Sequence, residues 1–368
     1  MLETIDALAL FLDLLSAFSG ITIGILFFTL KIRDQKGNIY LALFILSLSI
    51  GFLEDFFDDE KLGTLSETIN IGIETDLFII PSIFLYVLTI ARKRISYAWL
   101  LLYLPGILFN FIDFTDSDAD EIIQGLTYVL LNGTLLFFSF KVLNRFKARL
   151  KNYYSYTEDK NISWVKVIMV AAVFIHLYLF FGGIIYVISD SEAWVTVSDL
   201  ILSSLTFFIV YWVGYNGFQQ IGYINEVSNA VAVVDVADKA ENCITDEQLS
   251  RYKCCCDEIV KEKYFINPDL TLKLLSKSLS IKERELSELI NSCSKKNFQM
   301  FINEFRVKEF KKLLNSDKIL HYSILGLAKE AGFSSKSTFY KVFKQVEGIT
   351  PSEFKRQLKG PNSCSRTT

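Results

Sequence analysis

Apolar residues run in blocks of about twenty through the first 216 positions, the length a helix needs to cross a bilayer core. They predict seven spans: Ala7–Leu30, Ile39–Phe57, Ile71–Ile90, Tyr97–Phe114, Ile122–Leu143, Trp164–Ile188 and Trp194–Asn216. Pro81 and Pro105 fall inside the third and fourth, where proline is expected to kink the helix. From Gly217 to Glu247 the pattern is lost, and a linker of about 30 residues could reach on the order of 100 Å if extended. After it, apolar residues recur three or four positions apart in short blocks, the period of small amphipathic helices.

Those short blocks repeat a theme. Leu270, Leu274 and Leu275 give one helix an apolar face, Leu279-Ser280-Ile281 makes a turn, and Leu286, Leu289 and Ile290 line the next. This places Lys282, Glu283, Arg284, Ser287 and Asn291 outward. A longer helix follows from about Phe298 to Leu314, with Phe301, Phe305, Phe310 and Leu313 as core candidates. The theme then recurs: Ile324, Leu327 and Ala328 on one helix, a turn at Gly332-Phe333, Ser334 as a cap, and Phe339, Val342 and Phe343 inward on the next. Lys336, Ser337, Tyr340, Lys341 and Lys344 share its exposed face. Thr350-Pro351-Ser352-Glu353 is a capping box that starts a last helix.

Charge sharpens the division. The chain of 368 residues is 51% hydrophobic and carries a net −3. From Gln248 onward there are 23 basic and 13 acidic side chains, a net +10, which leaves −13 for the remainder. In the apolar part the loops alternate. The first (Lys31, Arg33, Lys36), third (Arg92, Lys93, Arg94) and fifth (Lys141, Arg145, Lys147, Arg149, Lys151, Lys160) are basic. The even loops are acidic, with Asp58, Asp59 and Glu60, then Asp113, Asp116, Asp118 and Asp120, then Asp190 and Glu192. Basic loops stay in the cytoplasm, which puts the N-terminus outside and the basic C-terminal part inside. All six cysteines lie from Cys243 onward, on the side where thiols stay reduced. The Cys254–Cys256 run lacks metal-ligand spacing and reads as a helix face with one exposed thiol. The first residues have neither a basic n-region nor a cleavage site.

Ionisable groups inside apolar spans are costly and point to function. Asp13, Glu54, Asp55, Glu74, Asp76 and Asp199 fall in the outer halves of their spans, and His176 and Asn132 near the midplane. The carboxylates are expected to line an outward-facing vestibule for a cationic ligand or metal. Asp76, Asn132, His176 and Asp199 are the ligand-sensing candidates. No zinc-protease, phosphate-loop or nucleophile-elbow motif is present, so no catalytic residue, resident metal or cofactor is expected.

The two-fold helical theme, with A-K-E-A-G-F-S-S-K-S-T-F-Y-K-V-F-K and G-I-T-P-S-E-F between Ile324 and Phe354, resembles the AraC/XylS family of transcription regulators. The resemblance covers about Leu270 to Leu358, and Asn297 to Val307 resembles the family's linker helix. It implies two helix-turn-helix units entering successive major grooves. Carried over by position, the base-reading candidates are Lys282, Arg284 and Ser287 in the first unit. In the second they are Ser335, Lys336, Ser337, Tyr340 and Lys341, with Lys344 on the same face and Arg306 for packing or phosphate contact. Glu283, Glu285 and Glu288 make the first recognition helix acidic, a departure that weakens its expected hold on phosphate.

The expected architecture is therefore all-α. A seven-helix transmembrane sensor spans 1–216, a cytoplasmic linker 217–247, a double helix-turn-helix domain 248–360 and a tail 361–368. The layout resembles membrane-anchored AraC-type regulators: a multi-pass protein of the bacterial inner membrane that couples a sensed signal to DNA. Its expected partners are double-stranded DNA, the lipid bilayer and an unidentified small ligand, with a second copy of the chain and RNA polymerase as further candidates. The alternative is a transporter or channel with an autoregulatory DNA-binding domain.

Overall fold

Both hydrophobic patterns resolve into helix. The computed structural model describes residues 2–29, 35–58, 75–91, 95–111, 118–155, 163–189, 192–221, 245–317 and 321–358. Glu74, most of the charged loops, most of the linker and the tail after Leu358 lie outside the described residues. Contacts divide the chain into two units: Met1–Arg145 with Ile162–Ser228, and Phe146–Asn161 with Asn229–Thr368.

The first unit contains α1 (Leu2–Thr29), α2 (Gln35–Asp58), α3 (Asp76–Ile90), α4 (Leu104–Phe111), most of α5 (Asp118–Lys151), α6 (Ser163–Ser189) and α7 (Glu192–Ile221). α1 packs on α2 and α7, and α2 on α3. Glycines set how close these helices come. A Cβ at Gly24 would approach the Leu46 side chain to 2.7 Å, one at Gly20 would strike the Ser49 hydroxyl, and one at Gly217 would approach Phe27 to 2.6 Å. Small residues four apart are the usual device for bringing membrane helices together. The outer surface is apolar: Phe11, Phe18, Leu130, Phe137, Phe174 and Phe208 are each 60% or more exposed. A helix surface of that kind suits lipid rather than water.

Among the described residues, four helices are long and apolar enough to cross a membrane: Thr4–Thr29, Gly37–Glu54, Gly125–Lys151 and Trp194–Gln219. The other three expected spans are shorter within the described residues. The fourth is also not one helix. Tyr97–Tyr103 forms a 3-10 helix and α4 begins at Leu104, so Pro105 stands in a first turn, where its missing N–H costs nothing, rather than kinking a helix interior.

The second unit is built around α11 (Phe298–Leu314). Before it come α8 (Asp246–Glu262), α9 (Leu272–Ser278) and α10 (Glu283–Ser294); after it come α12 (Ile324–Glu330), α13 (Lys336–Glu347) and α14 (Pro351–Leu358). Helix starts follow local chemistry. Thr245 and Gln248 form a capping box on α8, Thr271 caps α9, and Thr350 and Glu353 cap α14 reciprocally. The cap of α13 is Ser335, accepting from the Thr338 N–H at 3.2 Å, one residue later than expected. Phe310, Phe333, Phe339 and Phe343 form the core under the second helix pair, with Phe339 and Phe343 fully buried. Leu274, expected inward, is 46% exposed, while Leu272 and Leu275 are buried. On α8, Cys254 is exposed, Cys255 buried and Cys256 between the two. Burial pushes the Cys255 and Cys256 thiols up, which keeps them unreactive.

One contact had no signal in the sequence. Phe146–Lys151 end α5 and Asn152–Ser155 follow it, yet both belong to the second unit. Tyr154 pairs antiparallel with Thr271: the Leu272 N–H donates to the Tyr153 carbonyl at 2.9 Å, and the Ser155 N–H to the Leu270 carbonyl at 3.2 Å. Tyr153, Tyr154 and Ser155 are buried. Beneath them lies Arg306 of α11, 1% exposed. Its Nε donates to the Phe265 carbonyl (2.8 Å), Nη1 to Asn303 Oδ1 (3.2 Å), and Nη2 to the Asn267 carbonyl (2.8 Å) and Ser155 Oγ (3.1 Å). Desolvation pulls the guanidinium down to about 10, so it stays charged at neutral pH.

Two stability outcomes follow. Arg306→Ala strands several buried acceptors and is expected to cost about 3–5 kcal/mol, against about 1 kcal/mol for Ser155→Ala, measured by denaturant unfolding of the C-terminal unit in the full-length protein. At Gly332, φ is +96° and a Cβ would lie 2.5 Å from the Phe265 carbonyl oxygen. Gly332→Ala is therefore expected to destabilise the same transition by about 2 kcal/mol or more.

Candidate DNA interface and first-unit cavity

Each helix pair of the second unit has the same build: a short helix, a tight turn, and a second helix with a buried apolar stripe. The turn before α10 places Ser280 at φ +55°, and the turn before α13 places Gly332 at +96°. α11 packs against α10 on one side and against α12 and α13 on the other, so one long helix carries both pairs.

α13 is the more basic face. Phe339, Val342 and Phe343 point into the core, which leaves Lys336, Ser337, Lys341 and Lys344 exposed and Tyr340 half-buried. Ser337, Lys341 and Lys344 follow one another at helical spacing, and Lys336 Nζ sits 5.8 Å from the centre of the Tyr340 ring. Among the described residues, neither Lys336 nor Lys341 lies in an ion pair. Ser335 is partly committed: its hydroxyl caps the helix and contacts Ser337 Oγ at 3.1 Å.

α10 is different. Lys282 and Arg284 are exposed, but the Arg284 Nε is tied to Glu288 at 2.8 Å, and Arg251 from α8 pairs with Glu285 at 2.6 Å. The acidic residues of this helix are thus largely answered by cations of the same unit. Ser287, expected outward, is 2% exposed because it shares the buried side with Leu286 and Ile290. A side chain so placed reads no base edge. Arg306 is likewise enclosed and touches neutral acceptors of its own unit. The Tyr153 phenol lies in the field of Glu283, and burial together with that charge pushes it up to about 12.

The first unit contains a cavity of about 980 Å³. Asp76, His176 and Asp199 line it, and Asp6, Asp13 and Glu54 join them. Asn132 does not line it but lies behind His176, with its Nδ2 3.4 Å from His176 Nε2. His176 Nδ1 is 2.6 Å from the Ala172 carbonyl oxygen and donates to it. The Tyr128 ring stacks on the imidazole at 4.9 Å. Asp13 was one of several carboxylates flagged by its place in an apolar span, whereas Asp6 and Tyr128 gave no such signal. Among the described residues, no group of three or more His, Cys, Asp or Glu is placed to hold a metal ion.

Comparison with known proteins agrees with the geometry of the second unit. No curated protein and no solved structure matches the chain. Residues 275–357 match a family described as helix-turn-helix domain, of the AraC type. The match runs from the end of α9 to the end of α14 and takes in both recognition helices. The chain therefore carries a DNA-binding, AraC-type helix-turn-helix region of the kind found in transcription regulators.

Proposed function

We propose that this protein is a membrane-bound one-component transcription regulator. Its first unit would sit in the bacterial inner membrane as seven apolar segments, with the N-terminus outside. A small ligand received there would alter DNA binding by the cytoplasmic second unit. The observation that carries the reading is the path of the chain at residues 146–155. An apolar helix long enough to span a membrane, α5, continues into the segment that pairs with Thr271 and bonds Arg306, under the first helix-turn-helix pair. A signal that moved α5 would reach that pair through covalent structure and a buried hydrogen-bond network, without depending on the linker at 217–247. The alternating charge of the loops supports the orientation. Asp76, Asn132, His176 and Asp199 are the proposed sensing residues. A transporter has no comparable support, because its flux would need no such attachment to the DNA reader.

On DNA, most of the affinity is assigned to α13, where Lys336, Lys341 and Lys344 meet phosphates and Ser337 and Tyr340 reach base edges. α10 contributes less, through Lys282 and Arg284, because Arg284 must exchange Glu288 for DNA. A second copy of the chain and RNA polymerase are the proposed protein partners.

Crosslinking of the full-length protein to chromosomal DNA, with the protein confirmed in the membrane fraction, is expected to give a few sharp sites bearing two elements about one helical turn apart. Diffuse or absent enrichment at normal abundance would reject a sequence-specific regulator. On an enriched fragment, Lys336→Ala with Lys341→Ala is expected to weaken binding at least tenfold. It should also reduce the slope of log affinity against log salt by about 2, one for each lost phosphate contact. Arg284→Ala should change the slope by less than 1.

A further inference from the structure

We infer that the cavity of the membrane unit binds an organic cation: an amine or quaternary ammonium with an apolar body, its charge seated at Asp13 and Asp199. The inference rests on the sensor reading above and names the class of ligand.

The first observation is charge. Among the described residues the cavity is walled by the carboxylate side chains of Asp6, Asp13, Glu54, Asp76 and Asp199, and no described lysine or arginine lines it. Carboxylates gathered in apolar surroundings gain most from a cation that enters with the ligand.

The second observation is an unanswered acceptor. Asp13 is only 8% exposed, and its Oδ1 has no hydrogen-bond partner. Ser203 hydrogen-bonds the same carboxyl group, but that hydroxyl also lies 2.8 Å from the Asp199 carbonyl oxygen, so its one proton is shared and Oδ1 is left without a donor. Asp199 is close enough for the two carboxylates to repel each other. A buried carboxylate oxygen without a donor, beside a second carboxylate, is the place where an ammonium N–H or a quaternary methyl group would be held.

The third observation is the wall. Phe52, Phe109 and Tyr128 line the same space, together with aliphatic side chains. Aromatic faces attract cations and accept an apolar body, which a bare metal ion lacks. Volume agrees, since about 980 Å³ lies at the upper end of the range for drug-sized ligands and is far larger than an ion needs. No group of three metal-type ligands stands among the described residues.

The test uses full-length protein in lipid nanodiscs and two matched pairs of probes. Tryptamine is set against neutral tryptophol, and benzyltrimethylammonium against neopentylbenzene. Saturable binding is followed by thermophoresis, with Mn²⁺ and Zn²⁺ as competitors. At least one cation should bind about tenfold or more tightly than its neutral partner, and Asp13→Asn and Asp199→Asn should each remove most of that preference. Both substitutions keep the size of the side chain, and unchanged thermal unfolding confirms that the variants fold. Equal binding of cation and neutral partner in both pairs would overturn the proposal. So would variants that bind as tightly as the parent, or saturable metal binding that amines do not displace. The same nanodiscs are then titrated with an enriched DNA fragment. Cation binding that leaves DNA affinity unchanged keeps the site and rejects its role as a sensor. DNA binding with no cation preference rejects the cation site alone.

Discussion

The buried guanidinium of Arg306 is the constraint around which the C-terminal unit is arranged. It stays charged although almost wholly enclosed, and the groups it touches are carbonyls, an amide and a hydroxyl rather than a carboxylate. A charge in such a place is tolerable only if its donors are met from several directions at once. Those directions are supplied by the 3-10 turn at Phe265, the chain at Asn267, α11 itself and Ser155, which is 151 residues away in sequence. Loss of any one segment leaves N–H groups exposed to an environment that cannot satisfy them. The network therefore fixes the start of the first helix-turn-helix pair relative to α11, and α11 in turn positions the second pair. Gly332 depends on the same place, because its missing side chain lets the second turn pass within reach of the Phe265 carbonyl that Arg306 engages.

Much of this unit was legible in the sequence, because its local signals and its core agree. The spacing of Leu286, Leu289 and Ile290, the Thr350–Glu353 capping box and the phenylalanines of α13 each name an element without help from tertiary structure. The misses have a common cause. Ser287 and Leu274 stand at the edge of an apolar stripe, where a shift of one residue in helix phase exchanges inside for outside. Ser334 and Ser335 are chemically equivalent as caps, and only the geometry of the turn chooses between them. Arg306 is buried by partners supplied from distant segments, which helical periodicity cannot reveal. The pairing of Tyr153–Ser155 with Leu270–Leu272 is invisible for the same reason, since two segments of three residues are too short to carry a repeat that would announce a bridge.

In the apolar first unit the legible part is different. Block length and hydropathy locate the apolar segments but not their internal form. Pro105 illustrates this, because the same residue that suggests a kinked span instead begins a new helix after a 3-10 segment. Acidic residues in apolar blocks could be flagged one by one, yet which of them share a space depended on packing. Close contact at Gly20, Gly24 and Gly217 brings α1 against α2 and α7, and this places Asp13 of α1 beside Asp199 and Ser203 of α7. The cavity is thus a consequence of where small residues let helices meet and where α3, α4 and α6 complete the wall.

The energetics of coupling suit this arrangement. An allosteric effect of useful size needs only about 1–3 kcal/mol of difference between two states. That is the scale of one or two buried hydrogen bonds, and the Ser155 segment contributes several: two backbone bonds to Leu270 and Leu272 and one from Arg306. A displacement of this segment that stretched a single member of the network would change the free energy of the first helix-turn-helix pair by enough to alter its occupancy on DNA. A ligand could drive such a change only by binding one arrangement of the membrane helices better than another. A cation seated at Asp13 and Asp199, as inferred above, would supply that kind of preference, because it would stabilise the arrangement in which the two carboxylates stand together. The acidic α10 fits the same logic. A recognition helix whose Arg284 is already tied to Glu288 would bind DNA with little margin, so its contribution is the one that a small shift at Thr271 would switch most readily.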